Sequence, residues 1–194
     1  MLAKIPERYK DASWEGYSKS KPHYTQQERA NQLINWSALK FYANGIIDGK
    51  YNNAILCGTP GTGKTYLSFC VYKSLLEAGK RADRYKVHRL IAYLRESFSN
   101  KTAETKEQRL DKLLSLDFLI IDDIGSQKQY GTDAECTELY HVIDERYEAK
   151  KPTLITTNEG EEGIVKYMGE ATYSRFLEDN GLCLVFDWAD YRGL

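Results

Sequence analysis

Apolar positions recur along this chain at two spacings that alternate. Residues 54–57, 118–121, 153–157 and 182–186 are short runs of apolar and β-branched side chains that read as strands, 54–57 as a buried one and 118–121, the most apolar, as a central parallel one. Helical spacing fills the intervals. Leu33, Ile34, Trp36, Leu39 and Tyr42 share one face, with Gly45 as the expected stop, and Leu67, Val71, Leu75 and Ala78 share another, stopped by Gly79. Leu90, Ile91 and Leu94, with Phe98 one turn on, predict a third helix, and Leu110, Leu113 and Leu114 a short fourth. Leu139, Val142, Ile143 and Tyr147 mark a longer one, and 164–168 and 173–177 read as two short ones.

Residues 82–87 stand where a further strand is expected, but Asp83, Arg84 and Lys86 interrupt it. An edge strand tolerates such charges, which also discourage edge-to-edge pairing, so this strand is placed at a sheet edge. Residues 100–106 and 125–133 are polar breaks, the second containing Tyr130. Residues 1 to 25 are polar, with Pro6, Pro22 and several tyrosines, and read as an extended or loosely structured arm. The expected organisation is an arm and linker over 1–35 and one domain over 36–194, ending in a tail from Trp188. Strands alternating with helices predict an α/β architecture: an open five-stranded parallel sheet with helices on both faces and no separate large lid domain.

Composition narrows the class. The 194 residues suffice for one domain, and 42% apolar and 28% charged residues are ordinary for a soluble globular protein. A net charge of −1 excludes a surface coated in positive charge, so any nucleic-acid contact must come from a local patch. Cys57, Cys70, Cys136 and Cys183 are scattered without a C-x-x-C pair, which suggests neither a zinc site nor a disulfide framework. With no signal-peptide pattern and no membrane-length apolar run, the expected compartment is the reducing cytoplasm.

The chemistry begins at Gly58. The cradle runs through Thr59, Pro60, Gly61, Thr62, Gly63, Lys64 and Thr65 to Tyr66, the full G-x-x-x-x-G-K-[ST] phosphate loop in its strand–loop–helix setting. Its glycines let backbone N–H groups converge on one concavity beside a helix N-terminus. Lys64 would reach β- and γ-phosphates, and the Thr65 hydroxyl would ligate Mg²⁺, so the chain is expected to bind ATP or ADP with Mg²⁺.

In an open parallel sheet, ligands bind beyond the carboxyl ends of the strands. Asp122, after the apolar run 118–121, is placed to hold Mg²⁺ in the Walker B role, and Asp123 to accept a proton from attacking water or orient it. Asn158 is either a γ-phosphate and water contact or a turn former. Arg175 and Arg192 are, on pattern alone, ordinary surface arginines. Lys80, Arg81, Arg84, Lys86 and Arg89, with Tyr85 among them and only Asp83 opposing, form either a phosphate-backbone contact or the solvated face of an edge strand.

Gly-Thr-Pro-Gly-Thr-Gly-Lys-Thr at 58–65, Leu-Ile-Ile-Asp-Asp-Ile-Gly at 119–125, Leu-Ile-Thr-Thr-Asn at 154–158 and Phe-Asp-Trp-Ala-Asp-Tyr-Arg at 186–192 together resemble the DnaC/DnaI-type bacterial helicase loaders. Ile-Pro-Glu-Arg-Tyr and Ala-Ser-Trp-Glu-Gly-Tyr resemble that family's entry to its ATPase domain. The resemblance implies an AAA+ P-loop ATPase that assembles into a ring or spiral with ATP between subunits. It also implies two partners, single-stranded DNA and a DnaB-type replicative hexameric helicase, with no membrane role. By position it makes Asn158 the sensor 1 residue, Arg175 the arginine finger offered to a neighbour and Arg192 the sensor 2 arginine. It places DNA contact in 87–116, beside Arg84, Lys86 and Arg89, with Tyr130 a further candidate.

Two departures stand out. Asp123 replaces the usual Glu and is one methylene shorter, which predicts slow hydrolysis. No domain comparable to the loaders' helicase-docking domain precedes Ile5, so an excised ATPase domain and a short phage or mobile-element form are both expected readings. The alternatives are an IstB-like transposition helper ATPase, a small P-loop kinase, and a nucleotide-gated DNA-binding module with negligible turnover.

Overall fold

The structure is a computed structural model that describes residues 5–17, 24–95, 104–125 and 133–190. Its centre is a five-stranded sheet of β1 (Ala54–Gly58), β2 (Ala82–Lys86), β3 (Phe118–Ile124), β4 (Thr153–Thr157) and β5 (Leu182–Phe186), in the order β2-β3-β4-β1-β5. All four pairings are parallel, with Ile55 beside Ile155 and Cys183, and Tyr85 beside Ile121. β2 lies at one edge, as its charges predict.

Strand residues point alternately to opposite faces; along β1, β3 and β4 both faces are buried, whereas β5 leaves Cys183 and Val185 exposed. Ala54, Leu56, Phe118, Ile120 and Leu154 belong to one core layer, covered by α2 (Gln26–Ile47) and α3 (Lys64–Glu77). Ile55, Cys57, Leu119, Ile121 and Ile155 belong to the other. That second layer is completed by side chains of α4 (Val87–Arg95), α5 (Lys106–Ser115), α6 (Asp133–Glu148), α7 (Glu161–Met168) and α8 (Glu170–Leu177). Arg146 of α6 is fully buried between layers of backbone: its guanidinium donates to Thr153 Oγ1 at 2.9 Å, Leu113 O at 2.5 Å and Pro152 O at 2.8 Å.

Three expectations are corrected. α2 does not stop at Gly45. It starts from a capping box in which the Thr25 hydroxyl accepts from the Glu28 N–H, and it continues to Ile47; Gly49, at φ 84°, is the left-handed residue that turns the chain. The expected border at 35/36 thus falls inside one helix. Residues 5–17, expected to lie in an extended arm, do not form one either. Residues 7–9 form a 3₁₀ turn, and α1 (Trp14–Tyr17) packs toward α3: Tyr9 stacks on Phe69 at 4.5 Å, and Trp14 Nε1 donates to Ser74 Oγ at 2.9 Å. Lys73 Nζ caps the carbonyls of Lys10 and Ala12. Finally, β3 runs through its aspartates to Ile124 with a register irregularity between Ile121 and Ile124, and Asp123 there has φ 70°.

Candidate nucleotide-binding site

The phosphate loop bends where only glycine bends easily. At Gly63 (φ 99°) a Cβ would lie 2.5 Å from the Tyr17 ring, and at Gly58 (φ 115°) 2.2 Å from the Phe186 carbonyl. The loop is tied down from both sides. Thr59 N–H donates to Phe186 O at 2.8 Å, and the Thr62 hydroxyl to Thr59 O at 2.8 Å. The Thr62 carbonyl accepts from Trp188 Nε1 at 3.0 Å and from Tyr17 OH at 3.1 Å. Lys64 opens α3, and its Nζ donates to the loop carbonyls of Gly58 and Thr59, both at 2.7 Å.

Across from this loop stand the ends of β3 and β4. Asp122 is buried, and its Oδ1 accepts from Thr65 Oγ1 at 3.2 Å and from Thr156 Oγ1 at 2.6 Å. The Thr156 hydroxyl in turn accepts from the Asp123 N–H at 3.0 Å. Asn158 Nδ2 reaches Asp123 Oδ1 at 3.4 Å. Lys64, Thr65, Asp122, Asp123, Thr156 and Asn158 line a cleft of about 800 Å³, one wall of which is the N-terminal segment, through Pro6, Arg8, Tyr9, Tyr17 and Tyr24, with Arg84 and Lys86 of β2 also lining it.

That wall was missing from the sequence reading, as was Thr156. Thr156, two residues before Asn158, carries no separate signal in the sequence; the Ile-Pro-Glu-Arg-Tyr start before the domain is the available hint for the wall.

The donor set of the cleft suits Mg²⁺. Thr65 and Asp122 offer hard oxygens, and a magnesium ion held by one or two protein oxygens takes its other ligands from phosphate and water. Among the described residues no group of three or more His, Cys, Asp or Glu side chains is arranged to hold a metal.

Other predicted residues lie elsewhere. Arg175 on α8 is outside the cleft, paired with Asp144 and lying over the Tyr147 ring at 5.5 Å. Arg192 and Tyr130 lie outside the described residues.

The basic run is dispersed. Arg81 is paired with Asp117 at 3.3 Å, Lys86 is exposed at the cleft rim, and Arg89 is exposed on α4. Arg84 is not on the outer face at all. Its guanidinium lies over Phe69 at 4.4 Å and donates to Asp122 Oδ2, because this β2 position faces α3. Its Nε is buried without a hydrogen-bond partner, which costs on the order of 1–3 kcal/mol.

A parallel sheet in this strand order, with a glycine phosphate loop and a facing carboxylate pair, gives the chain the fold of the AAA+ P-loop proteins. Comparison with known proteins makes this specific. The family model described as "IstB-like ATP binding protein" matches residues 23–180, and the chain belongs to that family.

The replicative helicase loader DnaC of Escherichia coli K12 is 32% identical over 145 residues, 75% of this chain and 58% of the relative. The chain therefore spans little more than half the length of that protein. The DnaC of Buchnera aphidicola subsp. Schizaphis graminum is 30% identical over 188 residues, 97% of this chain and 72% of the relative. A crystal structure of the DnaC helicase loader superposes with a TM-score of 0.76 at 23% identity, covering 93% of this chain and 99% of that one. No helix among the described residues is long and apolar enough to cross a membrane.

Proposed function

We propose that this chain is an ATP-dependent replication protein of the helicase-loader type, which binds and slowly hydrolyses Mg²⁺·ATP and contacts single-stranded DNA and a replicative hexameric helicase. The observation that carries the reading is the meeting of Lys64, Thr65, Asp122, Asp123 and Asn158 in one cleft, while Arg175 lies outside it.

Lys64 leaves the Gly58 and Thr59 carbonyls for β- and γ-phosphate oxygens, and the loop N–H groups hold the same phosphates. Thr65 and Asp122 would hold the metal, which would supply positive charge to the phosphates. Asp123 accepts the proton of the attacking water, and Asn158 fixes the Asp123 carboxylate that does so. Water adds to the γ-phosphorus as the bond to the β–γ bridging oxygen breaks, giving ADP and phosphate. The charge that spreads over the transferred group needs a cation, and the reading assigns this to Arg175 of a neighbouring copy, with Arg192 acting on the chain's own nucleotide. This arrangement supports assembly into a ring or spiral driven by ATP. The names of the relatives support the partner assignment.

ATP turnover measured across a protein concentration series, with and without single-stranded DNA, tests the reading. Rates that climb more steeply than concentration and rise again with DNA support it; strictly proportional rates indifferent to DNA reject the shared site. The family description favours one second reading, a transposition helper ATPase. Co-purification with a hexameric helicase or with a transposase separates the two.

A further inference from the structure

Arg84 has no task in the mechanism above, yet it is held inside the site. Its side chain is 10% exposed, and β2 carries it beside Ile120, two positions before the Lys86–Asp122 pair. Long cationic side chains at a strand edge ordinarily run their charge out to water. This one turns inward onto the Phe69 ring, donates from Nη2 to Asp122 Oδ2, and leaves Nε buried without a partner. The other carboxylate oxygen, Oδ1, is taken by the hydroxyls of Thr65 and Thr156. The carboxylate placed for the metal is thus shared between two hydroxyls and a fixed cation.

We propose that Arg84 is a resident cation of the nucleotide site, a positioning residue that holds Asp122 and carries part of the charge a divalent metal otherwise brings to bound phosphates. The inference rests on the nucleotide-binding reading above. Two consequences follow from the contacts. A metal ion must share Asp122 with the guanidinium or displace it, so more Mg²⁺ is needed to saturate the site. A planar guanidinium also matches phosphate oxygens through several donors, so nucleotide is retained when Mg²⁺ is withdrawn.

The test is equilibrium binding of a fluorescent N-methylanthraniloyl-ADP to the whole chain, in excess Mg²⁺ and in excess EDTA. The native protein should bind in both media. Arg84→Met should lose about tenfold or more of its affinity in EDTA, the scale of one charge-assisted hydrogen bond, and change little in Mg²⁺. Its half-saturating Mg²⁺ concentration should fall. Arg84→Lys, which keeps the charge, should retain binding in EDTA.

A methionine variant that matches the native protein in both media overturns the inference. So does one that weakens binding equally in both, which marks a structural role. If native binding vanishes in EDTA while persisting in Mg²⁺, this inference fails and the nucleotide reading stands, whatever the variants do. If native protein binds in neither medium and behaves like Lys64→Ala, the nucleotide reading itself fails and takes the inference with it.

Discussion

The Thr156 hydroxyl donates to Asp122 Oδ1 at 2.6 Å while accepting from the Asp123 N–H at 3.0 Å. One side chain on β4 therefore sets both the carboxylate placed for metal and the backbone of the acid placed for water. Thr156→Val keeps the shape and removes both bonds. Turnover should drop about 10–100-fold, the usual loss when a partner that orients a metal ligand is removed. Nucleotide affinity, measured by titration, should change far less. An equal loss in binding and turnover would rule the assignment out.

Asp123 sits at φ 70°, a region that aspartate enters more readily than glutamate. Asp123→Glu lengthens the acid and should speed single-turnover hydrolysis, yet it should also lower stability by roughly 1 kcal/mol for the left-handed backbone. Stopped single turnovers and a thermal melt read the two effects separately. A rate equal to that of the native chain would show that the reach of the acid does not set the rate.

Arg175 is paired with Asp144 outside the cleft. Arg175→Ala should cost on the order of a thousandfold or more in turnover with ATP binding intact, as removal of an arginine finger does. Mixed with Lys64→Ala, which keeps Arg175 but loses its own phosphate contact, it should recover part of the rate. A mixture no faster than Arg175→Ala alone would argue against a shared site.

Stability should fall steeply at alkaline pH. Burial holds the Tyr42 phenol well above its ordinary 10.0, and burial pushes Tyr72 up to about 12. These groups keep their protons in the fold but lose them near pH 10 when unfolded. Their contribution is therefore complete below about pH 10 and shrinks above it, by about 1.4 kcal/mol per pH unit per group. Arg146, brought down to about 10 by burial, has the opposite slope but is a single group. Melting temperatures from pH 8 to 11 should show the decline, and Tyr42→Phe should soften it.

What the sequence reveals of this molecule divides along physical lines. The phosphate loop, the run ending in Asp122 and the edge position of β2 were legible because each signal is local: a spacing, an apolar run, a charge pattern. The packing of residues 5–17 was not, because single aromatic contacts such as Tyr9 on Phe69 carry it and leave no periodicity. The end of α2 was misread at Gly45 because a glycine inside a helix and one that ends it look alike until φ is known; Gly49 has the left-handed value. Arg84 was read as outward because a charge in an edge strand ordinarily faces water. Only the neighbouring Phe69 and Asp122 reveal its direction.

The Thr62 carbonyl takes one hydrogen bond from Tyr17, 45 residues earlier, and one from Trp188, 126 residues later. During synthesis the loop sequence leaves the ribosome long before its second clamp exists. Closing a span of that length is among the slower events available to a folding chain. The loop therefore has both of its clamps only once Trp188 has been made and has left the ribosome. A chain ending before Trp188 has every residue of the loop and lacks one of the two clamps on Thr62.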